Sequence, residues 1–303
     1  MTIMTEFQQK ITALLPNSEL RMNELMAKHT SFRIGGPAEV MAFPKSTEEL
    51  GEILKLSAFL DCKPAILGAG TNILAPDAGL PGLTICLKDG LNTMEQLDDT
   101  HIRVGAGVSM ARLATFAANS GLSGLEFAHG IPGSVGGGVY MNAGAYGGEI
   151  CQVCTQVKVM DMEGNVHTYT GEQMDFGYRH SRLEDDGGIV LEATFCLTPK
   201  STEEIRSLMQ DLMTRRRNSQ PLDMPSAGSA FKRPVGGYAA ALIEQAGLKG
   251  YRAGNAAISE KHAGFAVNLG GATAEDVKNL LRDVSDRVFE NTGIRLEPEV
   301  RIW

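Results

Sequence analysis

The chain has 303 residues, 43% of them hydrophobic and 21% charged, which is enough for two domains with sizeable cores. With 28 basic against 36 acidic residues the net charge is -8, which argues against a broad nucleic-acid surface and leaves anionic ligands to local basic clusters. Five scattered cysteines suit reduced thiols, no apolar run is long enough to span a membrane, and MTIMTEFQQK lacks the features of an export signal, so a cytoplasmic protein is expected.

In chain order, residues 6–15 read as a short amphipathic helix stopped by Pro16, and Asn23 to His29 as a lead-in. Gly35-Gly36-Pro37 marks a turn before an apolar strand from Val40 to Phe43. Ser46 and Glu49 have capping-box spacing, and Leu50, Ile53 and Leu54 give the following helix an apolar face. A strand from Pro64 to Leu67 runs into a glycine-rich loop, GAGTNILAPDAGLPG at 68–82, and another strand follows at Thr84 to Leu87. His101 to Val104 is strand-like, and Ser109 caps a helix that ends at Asn119, with Gly121 just past it.

The stretch HGIPGSVGGGVYMNAGAYGG, 129–148, carries large apolar residues that a flexible linker lacks. It is expected to be an ordered loop whose bare backbone lies against a ligand. Beyond it, 153–160 and 165–170 flank Glu163-Gly164 as a hairpin, and 189–197 reads as a buried strand. Composition changes at Pro199, which places a domain boundary near residue 200. Helices over 202–217, 238–246 and 273–291, a strand over 264–269 and a strand-like end from Ile294 to Trp303 complete the chain. Strands alternating with helices point to an α/β or α+β ligand-binding domain.

Gly68-Ala69-Gly70 ends a strand, but Ile73 stands where a dinucleotide fingerprint needs a third glycine, so a Rossmann unit is disfavoured. The two glycine-rich segments remain available to clasp one extended cofactor. Cys151 and Cys154 have metal or redox spacing but no second pair, and the six histidines form no ligand motif, so no metal is expected. Taken singly, Arg179 reads as a surface arginine, Ser229 as a turn serine and Glu299 as a carboxylate that needs a partner on a strand.

Taken together, GAGTNIL (68–74), GIPGSVGGGVYMNAGAYG (130–147), YRHS (178–181), GSAFKRP (228–234), SEKHAGF (259–265) and LEPEVRI (296–302) resemble, in order, the motifs of the UDP-N-acetylmuramate dehydrogenase family. The family is also called UDP-N-acetylenolpyruvoylglucosamine reductase. The resemblance covers residues 24–302, and the chain looks like the shorter subclass, without an extra tyrosine-bearing loop and with Arg233 where some members have asparagine.

It implies an α+β protein: a helical lead-in at 1–29, an FAD-binding domain of the vanillyl-alcohol-oxidase or cresol methylhydroxylase type at 30–199, and a smaller substrate domain at 200–303 whose last strand returns toward the active site. It implies FAD and NADPH as cofactors and a UDP-sugar as substrate; charge and hydropathy point to no nucleic-acid or membrane partner, and a monomer is the expected state. Arg179, Ser229 and Glu299 are then the catalytic residues. FAD would be held by Arg33, Gly35, Gly36, Gly68, Ala69, Gly70, Thr71, Asn72, Gly130, Ile131, Pro132, Gly133, Ser134, Gly136, Gly137, Asn142, Ala143, Gly144 and Ile189. Substrate would meet Tyr178, Arg217, Lys232, Arg233, Lys261 and His262. Two rivals stay open: a flavin oxidoreductase of this fold with another substrate, and a non-catalytic FAD or UDP-sugar binding protein.

Overall fold

Local caps set the starts of several helices in this chain. The computed structural model describes residues 4–303. Thr5 opens α1 (Glu6–Leu14) by accepting the Gln8 N–H, and the Gln8 side chain returns to the Thr5 N–H. β1 (Leu20–Leu25) follows, so the lead-in expected to be helical contains a strand; its burial alternates residue by residue, the period of a pleated strand. After β2 (Pro37–Ala42), Ser46 caps α2 (Thr47–Phe59), but the Glu49 carboxylate takes the Lys45 N–H at 2.7 Å, not that of Ser46, so only half of the capping box forms.

β3 (Ala65–Leu67), β4 (Ile73–Leu74) and β5 (Leu80–Cys86) come next, so the expected loop at 68–82 contains β4 and the start of β5. β6 (Met94–Gln96) and β7 (His101–Gly105) precede α3 (Met110–Asn119), which begins on Ser109 and closes before Gly121, at φ 68°. β8 (Leu122–Ser123) leads to the long glycine stretch.

That stretch is not a continuous loop. Val135–Tyr140 forms a helix, α4, capped by the Ser134 hydroxyl. The reason is close packing within the protein: a Cβ on Gly136 would lie 2.9 Å from the Ala106 Cβ, and one on Gly138 2.7 Å from the Met110 sulfur. Some of the missing side chains therefore make room for the protein's own turn after β7 and the start of α3.

β9 (Gly144–Ala145) and β10 (Gly148–Glu149) pair as a small hairpin, followed by β11 (Cys154–Met160), β12 (Val166–Thr170), α5 (Leu183–Asp186), β13 (Ile189–Cys196) and β14 (Thr198–Pro199). The remainder comprises α6 (Thr202–Ser219), α7 (Ala239–Gln245), β15 (Arg252–Ala253), β16 (Ala256–Ile258), β17 (Ala266–Asn268), α8 (Ala274–Thr292) and β18 (Arg301–Ile302).

The chain folds as two interleaved units. The first comprises the residues up to Met22, Glu39–Ala69 and Gly82–Arg215. Its antiparallel five-stranded sheet has the order β12-β11-β13-β7-β6, with α4 lying against β13. A four-stranded sheet, β1-β2-β5-β3, includes the parallel pair β3 and β5. Ile102, Val104, Leu113, Val157 and Phe195 lie in the larger core, where Ile205 and Met209 of α6 are also buried. For that reason the change of unit comes inside α6, at Arg215, beyond the shift in composition at Pro199.

The second unit comprises Asn23–Ala38, Gly70–Pro81 and Arg216–Trp303. Its β15-β16-β17 sheet packs under α8, which buries Val277, Leu280, Leu281, Val284 and Val288. Thr273 and Asp276 form a complete capping box, and Gly293 closes α8 at φ 73°. The Asp77 carboxylate also accepts the Ala274 and Glu275 N–H groups, at 2.8 and 3.3 Å, so the start of α8 anchors the 70–81 segment. Among the described residues, no helix is long and apolar enough to cross a membrane.

Gly136→Ala is expected to lower the free energy of unfolding by about 1–3 kcal/mol in a urea titration, the usual cost of overpacking. Gly237→Ala, where a Cβ would meet nothing within 4 Å, should be close to neutral. Equal stability of the two variants would show that the turn after β7 does not set the position of α4.

Candidate active site

In the first unit, β3 delivers Gly68 beside the start of α4. A Cβ on Gly68 would lie 2.8 Å from the Ser134 hydroxyl. Ser134 is buried, and its hydroxyl accepts the Gly137 N–H at 3.4 Å. On the exposed Gly137, a Cβ would meet only the Ser134 oxygen, at 3.5 Å. The two glycine segments thus meet at Gly68 and Ser134. Gly68, Ala69, Gly130, Ile131, Pro132, Gly133, Ser134, Gly136 and Gly137 include no acidic side chain. Bare backbone of this kind fits a phosphate-bearing cofactor. The Ile189 side chain, by contrast, is buried in the core beside Leu191.

Arg179 sits in the same unit, in a tight turn where Gly177 and His180 exchange backbone hydrogen bonds at 3.1 and 3.3 Å. Its φ of 55° is left-handed, a conformation that costs a non-glycine residue about 1–3 kcal/mol and must be held in place. Asn142 helps to hold it. That buried side chain donates to the Gly177 carbonyl at 2.9 Å and to Glu149 Oε2 at 3.2 Å, and its Oδ1 accepts the Cys151 N–H at 2.9 Å. The Ser181 hydroxyl fixes the far side by donating to the Tyr140 carbonyl at 2.8 Å. The Arg179 guanidinium donates to the Gly144 carbonyl at 3.3 Å and lies 5.0 Å from the centre of the exposed Tyr178 ring. Ala143 and Gly144 link Asn142 to this contact.

In the second unit, residues 229–232 are zipped on both sides. Ser229 bridges Phe265, and the Ala230 N–H donates to the Gly264 carbonyl at 2.8 Å. On the other side, the Glu299 N–H donates to the Ala230 carbonyl at 2.9 Å, and the Lys232 N–H to the Glu297 carbonyl at 2.8 Å. Ser229 and Glu299 are therefore carried on adjoining backbone, Ser229 exposed and Glu299 half-buried. Glu299 does not lie on a strand; it belongs to the irregular stretch before β18.

The segment 29–36 closes on 70–79 in this unit. A Cβ on Gly36 would overlap the Asp77 carbonyl and one on Gly70 the His29 carbonyl, while one on Gly35 would lie 2.7 Å from the Ala75 Cβ. The Ser31 N–H donates to the Gly70 carbonyl at 3.0 Å, and Arg33, at φ 57°, donates its N–H to Thr30. Beyond Thr71, the Asn72 side chain donates to the Glu299 carbonyl at 3.1 Å.

The residues expected at the substrate also lie here, apart from Tyr178. Lys232 faces Glu297 at 3.4 Å, and Arg233 lies 4.5 Å over the Tyr238 ring. The Lys261 ammonium donates to the Arg217 carbonyl, which brings those two residues together. His262 accepts the Gly264 N–H on Nδ1 at 3.1 Å and meets Phe265 edge-on at 5.1 Å; burial pushes its imidazole down. Sequence reading missed Asp77 and Asn268, whose amide donates to the Phe32 carbonyl at 2.9 Å. Both act across long sequence separations, so no local pattern announces them.

Residues 220–303 match the family model of the UDP-N-acetylenolpyruvoylglucosamine reductase C-terminal domain, and residues 38–170 match that of an FAD binding domain. The chain is 49% identical to the UDP-N-acetylenolpyruvoylglucosamine reductase of Pseudothermotoga lettingae, with 94% of this chain and 98% of that one covered. It is 46% identical to the enzyme of the same name from Agathobacter rectalis, with 98% of each covered. It also resembles the crystal structure of UDP-N-acetylenolpyruvylglucosamine reductase from Thermus caldophilus, with a TM-score of 0.79 and 37% identity over 95% of this chain and 99% of that one.

Asn142→Asp keeps an acceptor for the Cys151 N–H but removes the donor to Gly177. It should cost about 1–3 kcal/mol in urea unfolding, because the buried carboxylate then faces Glu149 Oε2 and the Gly177 carbonyl keeps only the His180 N–H. A second expectation concerns His262, whose folded value lies below its unfolded one. Its contribution to stability is complete above the unfolded value, about pH 6.5, and is lost as pH falls toward the folded one. Thermal melts between pH 7.5 and 5 should fall less steeply for His262→Gln than for the native protein.

Proposed function

The chain belongs to the UDP-N-acetylenolpyruvoylglucosamine reductase family of FAD-containing oxidoreductases, and from that membership we propose that it reduces UDP-N-acetylglucosamine enolpyruvate to UDP-N-acetylmuramate with NADPH, in the cytoplasm, as a step of peptidoglycan precursor synthesis. The observation that carries this reading is the pairing of Ser229 with Glu299 on one hydrogen-bonded clasp.

Reduction of the enolpyruvyl ether adds a hydride to C3 and a proton to C2. Charge builds on a fragment that already bears a carboxylate, so the site must supply fixed positive charge and hydrogen-bond donors there. Arg179 is assigned the carboxylate, its guanidinium oriented by Gly144 and by the strained turn beneath it. Glu299, tied to Ala230 beside Ser229, is assigned to hydrogen-bond the same developing charge. The Ser229 hydroxyl gives its proton to C2, and its exposed position allows solvent to replace that proton. FAD, when bound, would supply the hydride-transfer chemistry between NADPH and the double bond. Gly68, Ala69 and residues 130–137 would hold its diphosphate. Arg217, Lys232, Arg233, Lys261, His262 and Tyr178 are assigned to the phosphates and sugar of the substrate.

Purified protein should be yellow, bleach on addition of NADPH and regain its flavin absorbance on addition of the enolpyruvyl substrate. Bleaching that this substrate does not reverse would overturn the assignment. Ser229→Ala should leave bleaching by NADPH nearly unchanged and slow the return of colour by about 10²-fold or more, as expected for loss of a proton donor. Equal slowing of the two half-reactions contradicts the role given to Ser229.

A further inference from the structure

We propose that Asn72 is a positioning residue for Glu299, an inference that rests on the role assigned to Glu299 above. Its motif, GAGTN, suggests cofactor contact, but its side-chain amide donates to the Glu299 carbonyl at 3.1 Å across 227 positions of sequence. Its main-chain carbonyl accepts the Arg301 N–H at 2.9 Å, so one residue brackets 299–301 with both main chain and side chain.

The bracket matters because the strand pairing beside it is short. β4 and β18 pair over only two positions, Arg301 with Ile73 and Ile302 with Leu74. Trp303 adds one bond, its N–H to the Leu74 carbonyl at 3.1 Å. The Asn72 side chain extends this short parallel ladder past its last backbone pair, to Glu299. The Glu299 N–H is already tied to Ala230, the neighbour of Ser229. With its carbonyl held as well, both peptide groups flanking the Glu299 Cα are fixed, which sets the direction in which the carboxyl leaves the backbone. Without Asn72 the peptide after Glu299 can rotate and change the direction in which the acid leaves the backbone while the clasp survives. The 70–81 segment that presents Asn72 is itself secured by Asp77 at the start of α8.

The test uses the FAD-loaded enzyme with Asn72→Ala and the isosteric Asn72→Asp, whose carboxylate repels the Glu299 carbonyl and so should be at least as damaging. Flavin reduction by NADPH and the dissociation constant for FAD should stay within about twofold of native, while reoxidation by the enolpyruvyl substrate slows by about 10²-fold, the scale set by a misplacement of about 1 Å. Asn72→Ala combined with Glu299→Gln should be no slower than Glu299→Gln alone, because the two residues act as one unit. Amide hydrogen exchange in peptide 297–303 should accelerate in Asn72→Ala, a readout independent of turnover. Weakened FAD binding with both half-reactions slowed would assign Asn72 to the cofactor and overturn the proposal, as would unchanged exchange in 297–303. If Glu299→Gln leaves reoxidation unimpaired, the role of Glu299 falls and this inference falls with it. If Glu299→Gln is impaired and Asn72→Ala is not, only the inference fails. Should Asn72→Ala not fold, Asn72→Asp decides by the same measurements.

Discussion

Backbone lying against backbone, at places where even a methyl group would collide, is the constraint on which the rest of this protein depends. A Cβ on Gly70 would overlap the His29 carbonyl, and one on Gly36 would overlap that of Asp77. In the first unit Gly105 and Gly107 stand in the same relation to the Leu91 and Gly90 carbonyls. Each such glycine gives up more chain entropy on folding than any other residue, so the contacts persist only because large apolar clusters close around them. The two approaches in the second unit bring 29–36 and 70–77 together, and the latter segment carries Asn72.

The side chains assigned to chemistry are set on irregular backbone held by hydrogen bonds, not in the middle of helices or strands. Arg179 rides a left-handed turn pinned by Asn142 and Ser181. Ser229 and Glu299 ride two loop segments that are stitched to each other and, through Ser229 and Ala230, to 264–265. Regular elements present their side chains at fixed periods, and a reacting group needs a direction that those periods do not provide. Rigidity comes instead from hydrogen-bonded peptide groups beside each residue. Asparagine suits this task because one side chain both donates and accepts.

The glycines of 130–148 serve two purposes, and only one of them is what a sequence reader infers. Gly137 presents bare backbone outward, as expected of a segment facing a ligand. Gly136 and Gly138 face inward, against Ala106 and Met110, and allow a helix where propensity argues for none. Tertiary packing overrides the intrinsic cost of glycine in α4, and the helix is short enough to need only the Ser134 cap and contact with β13.

The amino-acid sequence alone determined what depends on near neighbours. The caps at Ser46, Ser109 and Thr273, the stop at Gly293 and the hairpin around Glu163-Gly164 all act within a few residues, and the order of six motifs was enough to identify the family. Only the tertiary structure decided how the chain divides into interleaved units, why α6 begins in one and ends in the other, and that a pairing of two residues joins β4 to β18. These features rest on contacts between residues far apart in the chain, such as Asn72 with Glu299 and Asp77 with Ala274. The energy of such contacts depends on where the intervening chain folds, which no local spacing encodes.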